Sequence, residues 1–108
     1  MSSQRVSGEI GSRESRILDR NSEYLGVSTL QLMENAGKAI SDEVAVRYPT
    51  KSEIVVYAGS GRNGGDGMVA ARHLASRGYR VNLILAGTPS EIHDEATSVN
   101  WRAINAMQ

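Results

Sequence analysis

Apolar residues first recur with a helical step at Ile17, Leu18, Tyr24 and Leu25, which predicts a helix over 12–25 with Gly26 as its C-terminal cap. A stronger pattern follows. Ser28 stands three residues before Gln31, a capping-box spacing, and Leu30, Met33, Gly37, Ile40, Val44 and Tyr48 recur in steps of three and four. This second helix must stop before Pro49, because the residue preceding a proline is driven out of the helical region. Beyond the Lys51-Ser52-Glu53 turn the period changes. Ile54-Val55-Val56-Tyr57-Ala58 is short, β-branched and apolar at successive positions, the signature of a strand covered on both faces.

A glycine-rich stretch, Gly59-Ser60-Gly61-Arg62-Asn63-Gly64-Gly65-Asp66-Gly67, then interrupts the chain with five of its eleven glycines. Helical spacing resumes at Met68, Val69, Ala71, Leu74 and Ala75 and runs to Gly78, so the stretch reads as a loop between a strand and a helix. Val81 to Ala86 predicts a second buried strand. Thr88-Pro89-Ser90-Glu91 offers a capping threonine, a proline at the first helical position and an acid at the third, opening a last helix with Ile92, Ala96, Val99 and Ala103 on one face.

The order strand, helix, strand implies a parallel pair with a right-handed crossover, hence an α/β fold. Parallel sheets are normally covered on both faces and contain more than two strands. The expected architecture is therefore a Rossmann-like three-layer αβα domain of which this chain holds the first two strands and their flanking helices.

At 108 residues and 40% hydrophobic content, the chain has material for one small domain. Twelve basic and twelve acidic residues balance, so composition gives no pull toward nucleic acid or anionic lipid, and an anionic ligand must be held by local geometry. The absence of cysteine removes disulfides and thiolate chemistry and fits a reducing setting, with the cytoplasm as the default expectation. Met1 to Gly11 is polar, lacks the ~7–15 apolar residues of a signal peptide, and is expected to be disordered. No run approaches the ~20 apolar residues of a membrane span.

Gly59-x-Gly61-x-x-Gly64 after a strand matches the dinucleotide fingerprint, in which glycines admit a pyrophosphate to the start of a helix. The second half of that fingerprint is missing, since Leu85-Ala86-Gly87 supplies no acid for a ribose hydroxyl. A Walker loop is excluded as well, because Gly65-Asp66 stands where lysine and Ser/Thr are required. Two readings stay open. Asn63 and Asp66 could hold a cation, a hydroxyl or an amide beside phosphate, or Asp66 could simply cap the helix while Asn63 turns the chain. His73 and His93 fit packed or solvated positions better than a general base. Glu34 and Asn35 fit a solvated helix face, and Trp101 a core or interface position.

Leu32-Met33-Glu34-Asn35-Ala36-Gly37, then Gly61-Arg62-Asn63-Gly64-Gly65-Asp66-Gly67 and Val69-Ala70-Ala71-Arg72-His73-Leu74, resemble the YjeF amino-terminal domain of the NAD(P)H-hydrate epimerase family. Ser12-Arg13-Glu14, Leu18-Asp19 and Glu23 to Ser28 extend the likeness, so residues 12–108 resemble the amino-terminal half of that domain. The resemblance implies an isomerase of metabolite repair that interconverts the R and S epimers of hydrated NADH or NADPH (NADHX, NADPHX). It also implies a companion ATP- or ADP-dependent dehydratase that consumes the S form.

By the same resemblance Arg62, Asn63, Gly64, Gly65 and Asp66 contact the hydrated dinucleotide, and Asn63 helps hold a potassium ion. An amide oxygen is a hard neutral ligand suited to an alkali cation. The family usually carries Asn where this chain has Arg62, which adds a charge and five donors. The family's catalytic acid or base and its remaining potassium ligands belong to later strands, so no catalytic residue is assigned here. A partner-supplied half site, or two copies pairing through open strand edges, would complete the sheet. The alternative is a non-catalytic dinucleotide- or partner-binding module of the same fold.

Overall fold

The computed structural model describes residues 26–107, and the helix expected over 12–25 lies outside them, as does the amino terminus over 1–11. Within the described residues the order is α1 (Thr29–Arg47), β1 (Glu53–Ala58), α2 (Arg62–Ser76), β2 (Arg80–Leu85), a 3-10 turn (Pro89–Glu91) and α3 (Glu95–Ala106).

Helix α1 begins and ends where its sequence demands. The Ser28 hydroxyl accepts from the Gln31 N–H at 3.1 Å, meeting one of the donors every helix start leaves unpaired. At the other end Tyr48, extended ahead of Pro49, is the C-cap, and its carbonyl accepts from the Tyr79 hydroxyl at 2.6 Å. Met33, Gly37, Ser41 and Val44 form the buried stripe. Gly37 lets α1 and α2 approach closely, since a Cβ there would overlap Val69 and stand 2.9 Å from the Ala70 nitrogen. Leu30, expected on the inner face, is instead exposed in the first turn.

β1 and β2 pair in parallel with Ile54 opposite Val81 and Val56 opposite Leu83. This is the α/β unit expected from the strand, helix, strand order. Ile54, Val56, Ala71, Leu74, Val44 and Tyr79 form the main core, with Tyr48, Val81, Leu83 and Ile104 packed on it. A second cluster, Met33, Val69 and Ala96, joins the three helices near the glycine stretch. The strands are not covered on both faces as expected. Tyr57 and its neighbour Ile84 are 62% and 44% exposed, because among the described residues the helices lie on one face of the sheet only. Among the described residues, no helix is long and apolar enough to cross a membrane.

Two expected boundaries move. The glycine stretch is not a loop up to Gly67, because α2 already starts at Arg62 with Gly61 as N-cap. Glycine costs a helix about 1 kcal/mol relative to alanine, yet tertiary contacts decide here. Gly64 lies against the Gly59 backbone and Gly65 against Met33 and Thr97, where no side chain fits. The last helix does not start at Pro89 either. Thr88 N–H donates to the Glu91 carboxylate at 2.9 Å as the spacing predicts, but only a 3-10 turn forms before Ile92 goes extended. Asp94, a second cap, starts α3.

Candidate functional site

The site is built at the carboxyl end of β1, where the chain turns through Gly59-Ser60-Gly61 into α2. Gly61 has no side chain to cap with, and the first intrahelical bond is from Gly65 N–H to Gly61 O at 3.2 Å. The amide donors and the positive dipole end of α2 therefore gather at this turn, a disposition that favours negative charge.

The glycines divide into two kinds. A Cβ on Gly64 would overlap the Gly59 carbonyl oxygen, and one on Gly65 would overlap Met33 and come 2.7 Å from Thr97 Oγ1, so these two are glycine for internal packing. At Gly59 and Gly61 an added Cβ would meet nothing within 4 Å, and neither residue sits in the left-handed region. Nothing among the described residues requires glycine at either position. Open space at those two positions is where another molecule's backbone-hugging group can enter.

The five residues read as ligand contacts are spread over this start of α2. Asn63 is exposed, Arg62 is half-buried, and Gly64, Gly65 and Asp66 are buried. Asp66 is not the cap of its helix. It is the fifth residue of α2 and only 8% exposed, and the cap position belongs to Gly61. Nor does Asn63 turn the chain, being the second helical residue.

Arg62 reaches across to the next helix, its Nε donating to Asp94 Oδ1 at 3.1 Å. A cation at a helix start is on the wrong end of the dipole, and the Asp94 carboxylate offsets it. Asp94 caps α3 by accepting from Thr97 N–H at 3.0 Å, and the buried Thr97 hydroxyl lies 2.9 Å from Asp94 Oδ2 and 3.2 Å from Gly61 O. Burial by itself raises the Asp94 carboxyl. The Thr97 N–H, the Arg62 and Thr97 side-chain donors and the Arg62 charge outweigh burial and hold it below its ordinary value of 3.8.

Glu34, His73 and Arg72 form a separate cluster further along α2. Glu34 accepts from Arg72, and its other oxygen is 2.6 Å from His73 Nε2. The Glu34 carboxyl, raised by burial, is brought below its ordinary 4.5 by the His73 hydrogen bond first and then by Arg72. His73 is thus a half-buried partner of a carboxylate on α1, and Glu34 is an ion-pair residue rather than a solvated one. His93 is exposed, as expected, and Trp101 is half-buried.

Asp94, Thr97 and Asn100 are the residues that the sequence pattern did not single out. The expected face of the last helix was Ile92, Ala96, Val99 and Ala103, whereas Ala96, Thr97 and Asn100 are the buried positions. Asn100 donates to Met33 Sδ at 3.3 Å and to Ala96 O at 3.0 Å. An aspartate three residues before a threonine was the available signal, hidden behind the apparent cap at Thr88.

A parallel strand–helix–strand unit with an open glycine turn at the carboxyl end of its first strand defines a Rossmann-like α/β protein. The family model of the YjeF-related protein N-terminus matches residues 29–108, and the chain belongs to that family. It is 48% identical over 91 residues, 84% of its length, to a bifunctional NAD(P)H-hydrate repair enzyme Nnr of Hyperthermus butylicus. It is 47% identical over 90 residues, 83% of its length, to the protein of the same name from Methanothermobacter thermautotrophicus. An NAD(P)H-hydrate epimerase of Cenarchaeum symbiosum is 38% identical over 90 residues, 83% of this chain. The chain spans 17% of the length of each of the two bifunctional relatives and 42% of that epimerase.

Proposed function

We propose that this chain forms the dinucleotide-binding part of an NAD(P)H-hydrate epimerase, which interconverts the R and S epimers of NADHX and NADPHX. The observation that carries the reading is the pair of open glycines, Gly59 and Gly61, at the dipole end of α2 in a chain of this family. Backbone amides and unobstructed space suit a pyrophosphate, which a side chain at either position would hold off.

In this reading the turn and Arg62 to Asp66 bind and orient the substrate. Asn63, exposed on the first turn, meets the ligand and offers a potassium ion one neutral oxygen; an alkali ion there would offset phosphate charge. Gly64 and Gly65 also let the start of α2 pack closely on Gly59, Met33 and Thr97. Inverting one tetrahedral carbon requires breaking and remaking a bond at that carbon, and orientation of the hydrated ring toward the group that does so is what this region contributes. A companion dehydratase would consume the S epimer. The setting is proposed to be cytoplasmic.

The test starts from resolved R-NADHX and follows the S form by chromatography, with and without the chain, supplemented by a homologue fragment that carries the family's later strands, and with and without potassium. Potassium-dependent acceleration over the spontaneous rate, lost in Asp66→Ala, is the expected result. A cooperatively folded sample that binds hydrated NADPH without accelerating exchange would refute the epimerase reading and leave the non-catalytic binding module. The observation favouring that second reading is Arg62, whose charge is engaged by Asp94.

A further inference from the structure

Helix α3 buries polar groups where apolar ones would cost less. Thr97 is fully buried and Asn100 is 5% exposed, and of the two Thr97 reaches the glycine stretch itself, at Gly61 and Gly65. Burying a hydroxyl is unfavourable unless it is hydrogen-bonded, so its partners indicate what the position is for. The Thr97 hydroxyl has one proton and two acceptors in range, Asp94 Oδ2 at 2.9 Å and Gly61 O at 3.2 Å. The first is its own helix cap and the second is the cap residue of α2. Arg62 closes the ring from α2 back to Asp94 Oδ1 at 3.1 Å. Asn100 acts on the same stretch through Met33, which packs on Gly65.

We propose that Asp94 and Thr97 are positioning residues for the Gly59–Gly61 turn, clasping the start of α2 to the start of α3 so that the turn's amides are held ready for a phosphate group. In this arrangement Arg62 serves as the strap of the clasp, its guanidinium joined to Asp94. The inference rests on the proposed dinucleotide site for its functional consequence, while the clasp itself is a property of the fold. Asp94 neutralises the misplaced cation at the α2 start, and Thr97 fixes the carbonyl of the residue from which the helix departs.

The test compares Thr97→Val, which keeps the shape and deletes the hydroxyl, with Thr97→Ser, which keeps the hydroxyl, in the full chain. Two quantities are read: amide hydrogen exchange over residues 59–64, and the dissociation constant for hydrated NADPH. Thr97→Val should speed exchange in that stretch about tenfold relative to β1 and β2, and weaken binding about five- to tenfold, as for one lost hydrogen bond. Thr97→Ser should restore both. Exchange in 59–64 that rises no more than in the strands, or a Ser variant as defective as Val, would overturn the clasp and make Thr97 a packing residue only. Should the unaltered chain fail to bind hydrated NADPH, the proposed function falls, and the exchange comparison still decides the clasp.

Discussion

Gly64→Ala separates helix propensity from tertiary packing, because the two predict opposite signs. Gly64 is the third residue of α2, and replacing a helical glycine by alanine ordinarily stabilises by about 1 kcal/mol. Here the added carbon would overlap the Gly59 carbonyl oxygen and stand 2.5 Å from the Gly59 carbonyl carbon. These are backbone atoms that cannot rotate away. Relief requires the turn to slide, at the upper end of the overpacking range, about 3 kcal/mol. The net loss is about 2 kcal/mol, or a melting temperature lower by about 8–16 °C for a domain of this size. Circular dichroism melts of Gly64→Ala, with Gly59→Ala as the control, provide the assay. At Gly59 an added carbon meets nothing within 4 Å, so its variant should melt within a few degrees of the parent or slightly higher. A Gly64→Ala protein that melts at or above the parent would refute the wedge between Gly64 and Gly59.

Gly59→Ala should nonetheless weaken binding of hydrated NADPH by at least about tenfold in calorimetry, because the open space is the proposed approach for the pyrophosphate; unchanged affinity would move the site elsewhere. Leu74→Ala, at a fully buried core position, should cost about 2–5 kcal/mol in urea unfolding. The Ser41 hydroxyl is buried with no hydrogen-bond partner among the described residues, so Ser41→Ala should be neutral or stabilising by up to about 1 kcal/mol, and a clear loss would reveal a partner. Asp94 and Glu34 both have carboxyls held below their ordinary 3.8 and 4.5, so each binds its proton less readily folded than unfolded. Their stabilisation is present above those ordinary values and is lost as pH falls through the lower folded ones. Asp94→Asn should therefore flatten the stability profile below about pH 4, read from urea midpoints between about pH 2 and 6; an unaltered slope would show that Asp94 is not part of the acid transition.

The local and periodic part of this protein is written in its residues. Ser28, Pro49 and the three- and four-residue steps between them fix α1, because capping and proline geometry act within a few residues. The β-branched runs fix β1 and β2, and their separation by one helix makes them parallel. The motifs around Met33 and Asn63 were enough to point to the family that residues 29–108 match. Where α2 begins is a matter of packing instead. Local preference alone keeps Gly59 to Gly67 out of a helix, and it is the contacts of Gly64 with Gly59 and of Gly65 with Met33 and Thr97 that draw the stretch from Arg62 onward in. The same holds for the roles of the glycines. Spacing treats Gly59, Gly61 and Gly64 alike, while packing separates two open positions from one that is wedged. Asp94, Thr97 and Arg62 belong to a clasp whose bonds span 32 and 36 residues of chain, a proximity that no periodicity encodes because it arises from how α3 lies against α2. Hydrogen bonds at such separations are made by the packing of whole helices, which is the physical reason the clasp became visible only in the folded chain.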